Sequence, residues 1–220
     1  GRVYEDLRSY PKLVGGISTK STELASVLYE AGFKFENRHD LARRNGVWRM
    51  ASSEEAEFAK LAETTFRDVN IALANTFAEH AQELGVSYRE IQEACNSQPF
   101  SMLHSPGISV GGHCIPVYPQ MYLQSHPGAD IVSLGRRINS DMPARALSLL
   151  SAHIGDLNGR RILVSGLSYR TGVKEKAFSG AEELSRVLID QGASSALVDE
   201  MFTQSEISNF GFKVPDGSPF

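Results

Sequence analysis

Cysteine is scarce in this chain: 220 residues hold two, Cys95 and Cys114, and six scattered histidines complete neither a C-x-x-C pair nor any metal-ligand spacing. A chain this long with two thiols is no disulfide scaffold, so the expectation is a cytoplasmic protein without a metal. Charge of one sign is missing too. Lys and Arg number 22 against 26 Asp and Glu, a net charge of -4 that gives no electrostatic footprint for nucleic acid or an anionic membrane surface. Partners are therefore expected among small molecules and protein surfaces. No apolar run approaches the ~18 residues that cross a bilayer, and the amino end lacks a charged-then-apolar export pattern. The first 50 residues show no glycine-rich strand-to-helix turn of the kind that holds a dinucleotide pyrophosphate.

What is present reads as α/β material. Leu13-Val14-Gly15-Gly16 predicts a strand, Thr19 to Glu30 a helix ended by Gly32, and Phe33-Lys34-Phe35 a second strand before an arginine-rich link. Ser52-x-x-Glu55 has the form of a capping box and opens a periodic stretch reaching Gly85, about thirty residues against ~11 to 12 for an average helix. Its apolar positions Phe58, Leu61, Val69, Ala72, Phe77, Ala81 and Leu84, widened by Ile71, Leu73, Ala74 and Ala78, predict burial on more than one side. A second box, Ser87-x-x-Glu90, starts a short helix carrying Cys95. An irregular loop then runs from Asn96 to Pro119. Residues 120–126 and 130–157 are expected to be mostly helical, punctuated by Gly128 and Pro143. Arg161 to Gly166, a helix from about Ala181 to Gln191, and Ala196 to Asp199 predict a βαβ unit with parallel strands. Asp199 stands where a dinucleotide site keeps its ribose-binding acid, but without G-x-G-x-x-G the plain reading is an ordinary βαβ turn or another nucleotide site. The opening at Gly1-Arg2-Val3-Tyr4 and the strand-like close from Gly211 to Phe220 lead to the expectation of a fragment.

The stretch Ser105-Pro-Gly-Ile-Ser-Val-Gly-Gly-His-Cys-Ile-Pro116 is the most specific feature. Three glycines let the backbone bend tightly and two prolines stiffen its flanks, so the run presents one thiol, Cys114, on a rigid loop. Buried structural cysteine is the plain alternative. A thiol at work needs a base or cation to form the thiolate and a group to hold an oxyanion. A cysteine hydrolase using His113 or His104 as base would also need a carboxylate to orient the histidine, which no spacing identifies.

Together, Pro11 to Gly16, Glu57 to Asn75 (with Lys60-Leu-Ala-Glu63 and Phe66 to Ala72), Pro106 to Pro119 and Gly166-Leu-Ser-Tyr-Arg170 resemble, in one order from Gly1 to about Asp199, the UDP-glucose/GDP-mannose dehydrogenase family. Its UDP-N-acetylmannosamine/UDP-N-acetylglucosamine branch is the nearest in likeness. The resemblance implies an α/β fold: residues 1–50 as the remnant of an NAD-binding domain, 51–157 as a helical dimerisation domain built on the long helix, and 158–220 as a Rossmann-like nucleotide-sugar-binding domain. It implies a homodimer, and NAD held mainly by a domain absent from this chain. It also implies oxidation of a nucleotide-sugar C6 alcohol to the uronate through a thiohemiacetal and thioester on Cys114, with Lys60 stabilising oxyanions. Thr64, His104, Gly111, Gly112 and Arg170 match substrate-binding positions.

Four positions depart from the family pattern. Thr64 stands for an Asn, Tyr118 for an Asp, and Phe100 and Ala177 for arginines. A phenol with pKa ~10 cannot replace a carboxylate at neutral pH. The competing expectation is a non-catalytic homologue kept as a nucleotide-sugar-binding or dimerisation module.

Overall fold

The computed structural model describes residues 3–218, so the sequence readings that involve Gly1, Arg2, Pro219 and Phe220 lie outside the described residues. The chain forms two compact units that meet in sequence at Glu63 and Thr64, inside one helix.

The first unit contains α1 (Val3–Ser9), β1 (Lys12–Val14), α2 (Thr19–Gly32), β2 (Val47–Arg49) and the start of α3 (Ser53–Glu83). β1 and β2 pair in parallel, from Lys12 opposite Val47 to Val14 opposite Arg49. The predicted strand at Phe33–Phe35 does not form. Phe33 caps α2 in an extended conformation and stacks on Tyr29 at 5.6 Å, with Phe35 at 6.2 Å, so ring packing organises this segment and the second strand falls in the arginine-rich link instead. Gly32 ends α2 from inside the helix, and α1 was not foreseen.

A second correction concerns Gly15 and Gly16, which do form a strand-to-helix turn. Its glycines serve the fold: a Cβ at Gly15 would collide with the Ser52 carbonyl, and the Gly16 amide donates to Thr22 Oγ1 at 2.9 Å. Ser18 and Ser21 cap α2 reciprocally, which takes up the amides of these two residues.

The second unit holds the rest of α3, α4 (Tyr88–Asn96), α5 (Tyr118–Ser125), α6 (Asp130–Ile154), β3 (Arg161–Ser165), α7 (Gly180–Asp190), β4 (Ser194–Val198) and α8 (Gln204–Asn209). β3 and β4 pair in parallel from Arg161 opposite Ser194 to Ser165 opposite Val198. Leu147 of α6 and Leu157 share one core with Val164, Leu167, Leu188 and Leu197. Each such leucine contributes about 1.5–3 kcal/mol by its burial.

α3 starts at Ser53 with Ser52 Oγ accepting the Glu55 amide at 3.3 Å. Glu55 returns to the Ala51 amide at 2.8 Å, one residue earlier than a capping box requires. Pro143 does not interrupt α6; it sits buried within the helix. The predicted strand after Gly211 meets β4 through the Leu197 N–H donating to the Lys213 carbonyl at 2.8 Å, and forms no strand among the described residues.

Candidate functional site

Cys114 lies in the turn that enters α5, half-buried, its carbonyl accepting the Val117 amide at 3.1 Å and the Tyr118 amide at 2.9 Å. Two sets of contacts within the second unit hold its loop. On one side stands the segment 169–180. Gly112, at φ +88°, donates to the Ala177 carbonyl at 2.9 Å, and its Cα packs so closely on the Tyr169 ring that a Cβ would stand 3.0 Å from it. A Cβ on Gly111 would fall 2.7 Å from Tyr169 Cβ and 2.8 Å from the Phe178 carbonyl, so both glycines are required by close approach. Phe178 itself has φ +51°, a strained conformation for a bulky residue that costs on the order of 1–3 kcal/mol and tends to cluster at functional sites.

His113 Nε2 stands 3.4 Å from Glu175 Oε2. The Ala177 amide first, and then His113, hold the Glu175 carboxyl below its ordinary range. The carboxylate partner that no sequence spacing revealed therefore exists, on an exposed pair at the loop surface.

The other side of the loop is held by a buried polar network that the sequence reading missed. Asp68 of α3 is fully buried, with Arg136 Nε 2.9 Å from its Oδ2 as an ion pair that lacks hydrogen-bond alignment. Asn139 Nδ2 donates to Asp68 Oδ1 and to its carbonyl, both at 2.9 Å. Asn75 Nδ2 donates to Asn139 Oδ1 at 3.0 Å. The loop amide of Gly107 then donates to Asn75 Oδ1 at 2.9 Å, and Arg136 Nη1 reaches the Ile115 carbonyl at 3.5 Å. Burial pushes the Asp68 carboxyl up from its ordinary value, opposed by Arg136 and Asn139, and burial likewise pulls Arg136 down. The available signal was spacing: positions 64, 68, 72 and 75 share one helical face.

Of the residues singled out in sequence, Gly111, Gly112 and Cys114 lie in this one loop, with Tyr169 packed on it. His104 lies upstream, its carbonyl accepting the Tyr88 hydroxyl at 2.8 Å and its ring edge-on to Phe66. Arg170 is exposed, beside a separate cleft of about 300 Å³ at the carboxyl ends of β3 and β4. Thr64 is fully buried, Phe100 is 92 % exposed, and Tyr118 is the first residue of α5. Lys60 belongs to the first unit's part of α3, exposed and 3.3 Å from Glu63.

A cleft of about 710 Å³ opens beside the loop, lined by Ser109 and Pro116, by Arg136 and Asn139 of α6, and by Phe178 and Gly180 at the start of α7. Burial would raise the Asp199 carboxyl, but the amides of Ser168, Leu167, Met201 and Phe202 outweigh it and hold it below its ordinary range, and those amides occupy both of its oxygens. The Gly15–Gly16 turn is filled by its own chain. Among the described residues no group of three or more His, Cys, Asp or Glu could hold a metal, and no helix is long and apolar enough to cross a membrane.

Residues 54–140 match the UDP-glucose/GDP-mannose dehydrogenase family, central domain. A UDP-N-acetyl-D-mannosamine dehydrogenase from Pyrococcus horikoshii is 37 % identical over 186 residues, which cover 82 % of this chain and 42 % of that protein. The solved structure of a UDP-D-ManNAc dehydrogenase from the same organism superposes with a TM-score of 0.78 at 33 % identity, over 90 % of this chain and 46 % of the other. A UDP-glucose dehydrogenase from Pyrobaculum islandicum, at 24 % identity and TM-score 0.81 over 96 % of this chain and 49 % of its own, shares the fold. The chain spans less than half the length of these relatives.

Proposed function

The chain carries the central domain of the UDP-glucose/GDP-mannose dehydrogenase family over residues 54–140 and belongs to that family, and on this premise we propose that it supplies the acyl-carrying cysteine and part of the sugar-nucleotide site of a nucleotide-sugar 6-dehydrogenase acting on an N-acetylhexosamine nucleotide. The observation that carries the reading is the loop around Cys114, a single thiol presented between two close-packed glycines and the start of α5.

In this reading the Cys114 thiolate adds to the C6 aldehyde carbon of the sugar to give a thiohemiacetal, which becomes a thioester on loss of its C6 hydride, and water then cleaves the thioester to the uronate with return of the thiol. Lys60 supplies positive charge for the oxyanions. When bound, NAD⁺ would accept the two hydrides, one as the alcohol becomes the aldehyde and one as the thiohemiacetal becomes the thioester. The cleft of about 710 Å³ has the volume of a small-ligand site, and Ser109, Arg136 and Asn139 give it polar walls. Domain limits of 1–50, 51–157 and 158–220 and a homodimer through α3 belong to the same proposal.

A second reading is favoured by particular positions. Thr64 is sealed inside the fold and Tyr118 offers a phenol where thioester hydrolysis asks for a carboxylate; general-base help is worth ~10² to 10⁴ in rate. A non-catalytic homologue would show this pattern. Full-length protein incubated with NAD⁺ and a panel of nucleotide sugars separates the two. The enzyme reading expects NADH absorbance and a slowly released acyl adduct on Cys114 by intact-mass spectrometry, lost in Cys114→Ser and cleared faster in Tyr118→Asp. No NADH and no adduct with any sugar moves the assignment to the homologue.

A further inference from the structure

We propose that Asn75 is a positioning residue for Cys114, acting through the Gly107 amide and anchored by Asn139 and the Asp68–Arg136 pair. The proposal builds on the reading of Cys114 as the reacting group. The loop from Gly107 to Ile115 has no helix or strand of its own, so its backbone groups must find partners elsewhere. Two of them find this network: the Gly107 N–H ends on Asn75 Oδ1 and the Ile115 carbonyl on Arg136 Nη1, seven and one residues from the thiol's own position.

Asn75 is 1 % exposed and Asn139 2 %, and each amide is used at both ends. Asn75 donates to Asn139 and accepts from Gly107, while Asn139 accepts from Asn75 and donates to Asp68. A side-chain amide combines donor and acceptor on one flat group whatever the pH. Aliphatic residues could fill the same volume between α3 and α6 without the cost of burying polar groups. What the amides add is direction: the register of the loop is tied to two helices at both of its ends. A thiol carried on such a loop is delivered to one place, which matters for covalent chemistry because misplacement by about 1 Å can cost ~10²-fold in rate.

The test uses thiol presentation, which is measurable without turnover. In full-length protein, iodoacetamide labelling followed by peptide mass spectrometry gives the Cys114 rate relative to Cys95, a half-buried internal reference on α4. Asn75→Ala is expected to change that ratio severalfold and to speed hydrogen exchange at the Gly107 amide about tenfold, the scale of one lost hydrogen bond. Gly107→Pro removes the donor from the loop side, leaves the side-chain contacts among Asn75, Asn139, Asp68 and Arg136 in place, and should shift the ratio in the same direction even if Asn75→Ala folds poorly. Leu188→Ala, in the core at α7, serves as the control for general destabilisation. Where the enzyme turns over, Asn75→Ala should lower kcat about tenfold or more with little change in KM. The proposal is overturned if the Cys114 to Cys95 ratio in Asn75→Ala and Gly107→Pro stays at the wild-type value, or if Leu188→Ala moves it equally. Absence of turnover in the wild type would remove the enzymatic reading while leaving the labelling ratio to decide this one.

Discussion

Between Thr64 and Glu83, α3 turns two faces to different surroundings. One carries Thr64, Asp68, Ala72 and Asn75, all buried; the other carries Phe66, Leu73 and Phe77, which are 53, 41 and 43 % exposed. Ordinary amphipathic helices bury the large apolar residues and expose the polar ones. The inversion shows that the buried face is spent on geometry, with Asp68 and Asn75 satisfied by Arg136, Asn139 and Gly107, whereas the apolar face has the makings of an interface.

The largest expected effect breaks the buried face. Arg136→Met leaves the Asp68 carboxylate without its counter-charge, a change that costs about 3–5 kcal/mol when one partner of a buried pair is removed. Chemical denaturation of the variant measures it. Adding Asp68→Leu to the same chain should recover a large part of the loss, because an apolar pair of matching shape can replace a buried ion pair. The pH dependence has a definite sign. Burial already holds the Asp68 carboxyl above its ordinary value, and removing Arg136 deletes a cause that opposed this. A carboxyl raised in the folded state contributes stability that is fully present below the unfolded pKa of ~3.9 and is lost as pH rises through the folded value. The gap between Arg136→Met and wild type should therefore narrow as the solution is acidified.

A smaller effect is expected at the seam of the same face. A Cβ on Gly135 of α6 would stand 3.3 Å from Val69 Cγ2 and 3.4 Å from Val69 Cα, and Val69 is β-branched on a helix and stiff. Gly135→Ala gains about 1 kcal/mol of helix propensity but faces overpacking of about 1–3 kcal/mol, so a net loss near 1 kcal/mol is the expected outcome in thermal unfolding. A stabilised variant would mean that the two helices yield more easily than the network between them implies.

Most elements and the loop were legible in the sequence, because they depend on local chemistry. Periodicity and capping residues marked α2, α3, α4 and α7, and glycines between prolines marked the Cys114 loop. What escaped depends on partners far along the chain. Periodicity alone reports which residues are apolar and says nothing of what covers them: Phe58, Phe77 and Leu84 belong to the apolar stripe, and all three are exposed in the single chain. Asp68 and Asn75 could not be read as a network before α6 brought Arg136 and Asn139 to them, 68 and 64 residues further on. Asp199 resembled a ribose ligand in sequence, but in the fold it is the clamp of its own turn.

The smallest effect on folding, and the sharpest test of the other face, is expected from Phe77→Glu. Phe77 is 43 % exposed, and substitutions at surface positions without special contacts fall within about ±0.5 kcal/mol, so denaturation at low protein concentration should barely move. Association is a different matter if the apolar face is covered by a second copy. A two-fold interface contains each residue twice, so the substitution would remove two phenyl rings and bury two carboxylates against apolar surface. With about 0.6–1.3 kcal/mol for the part of each phenyl still exposed, and two carboxylates desolvated besides, the dimer dissociation constant should rise by at least ~10-fold, read by sedimentation velocity across a dilution series. A wild-type chain that sediments as a monomer at high micromolar concentration would remove the partner from this argument. In that case Phe66, Leu73 and Phe77 would be exposed residues of one protomer, and the two faces of α3 would differ in composition without differing in purpose.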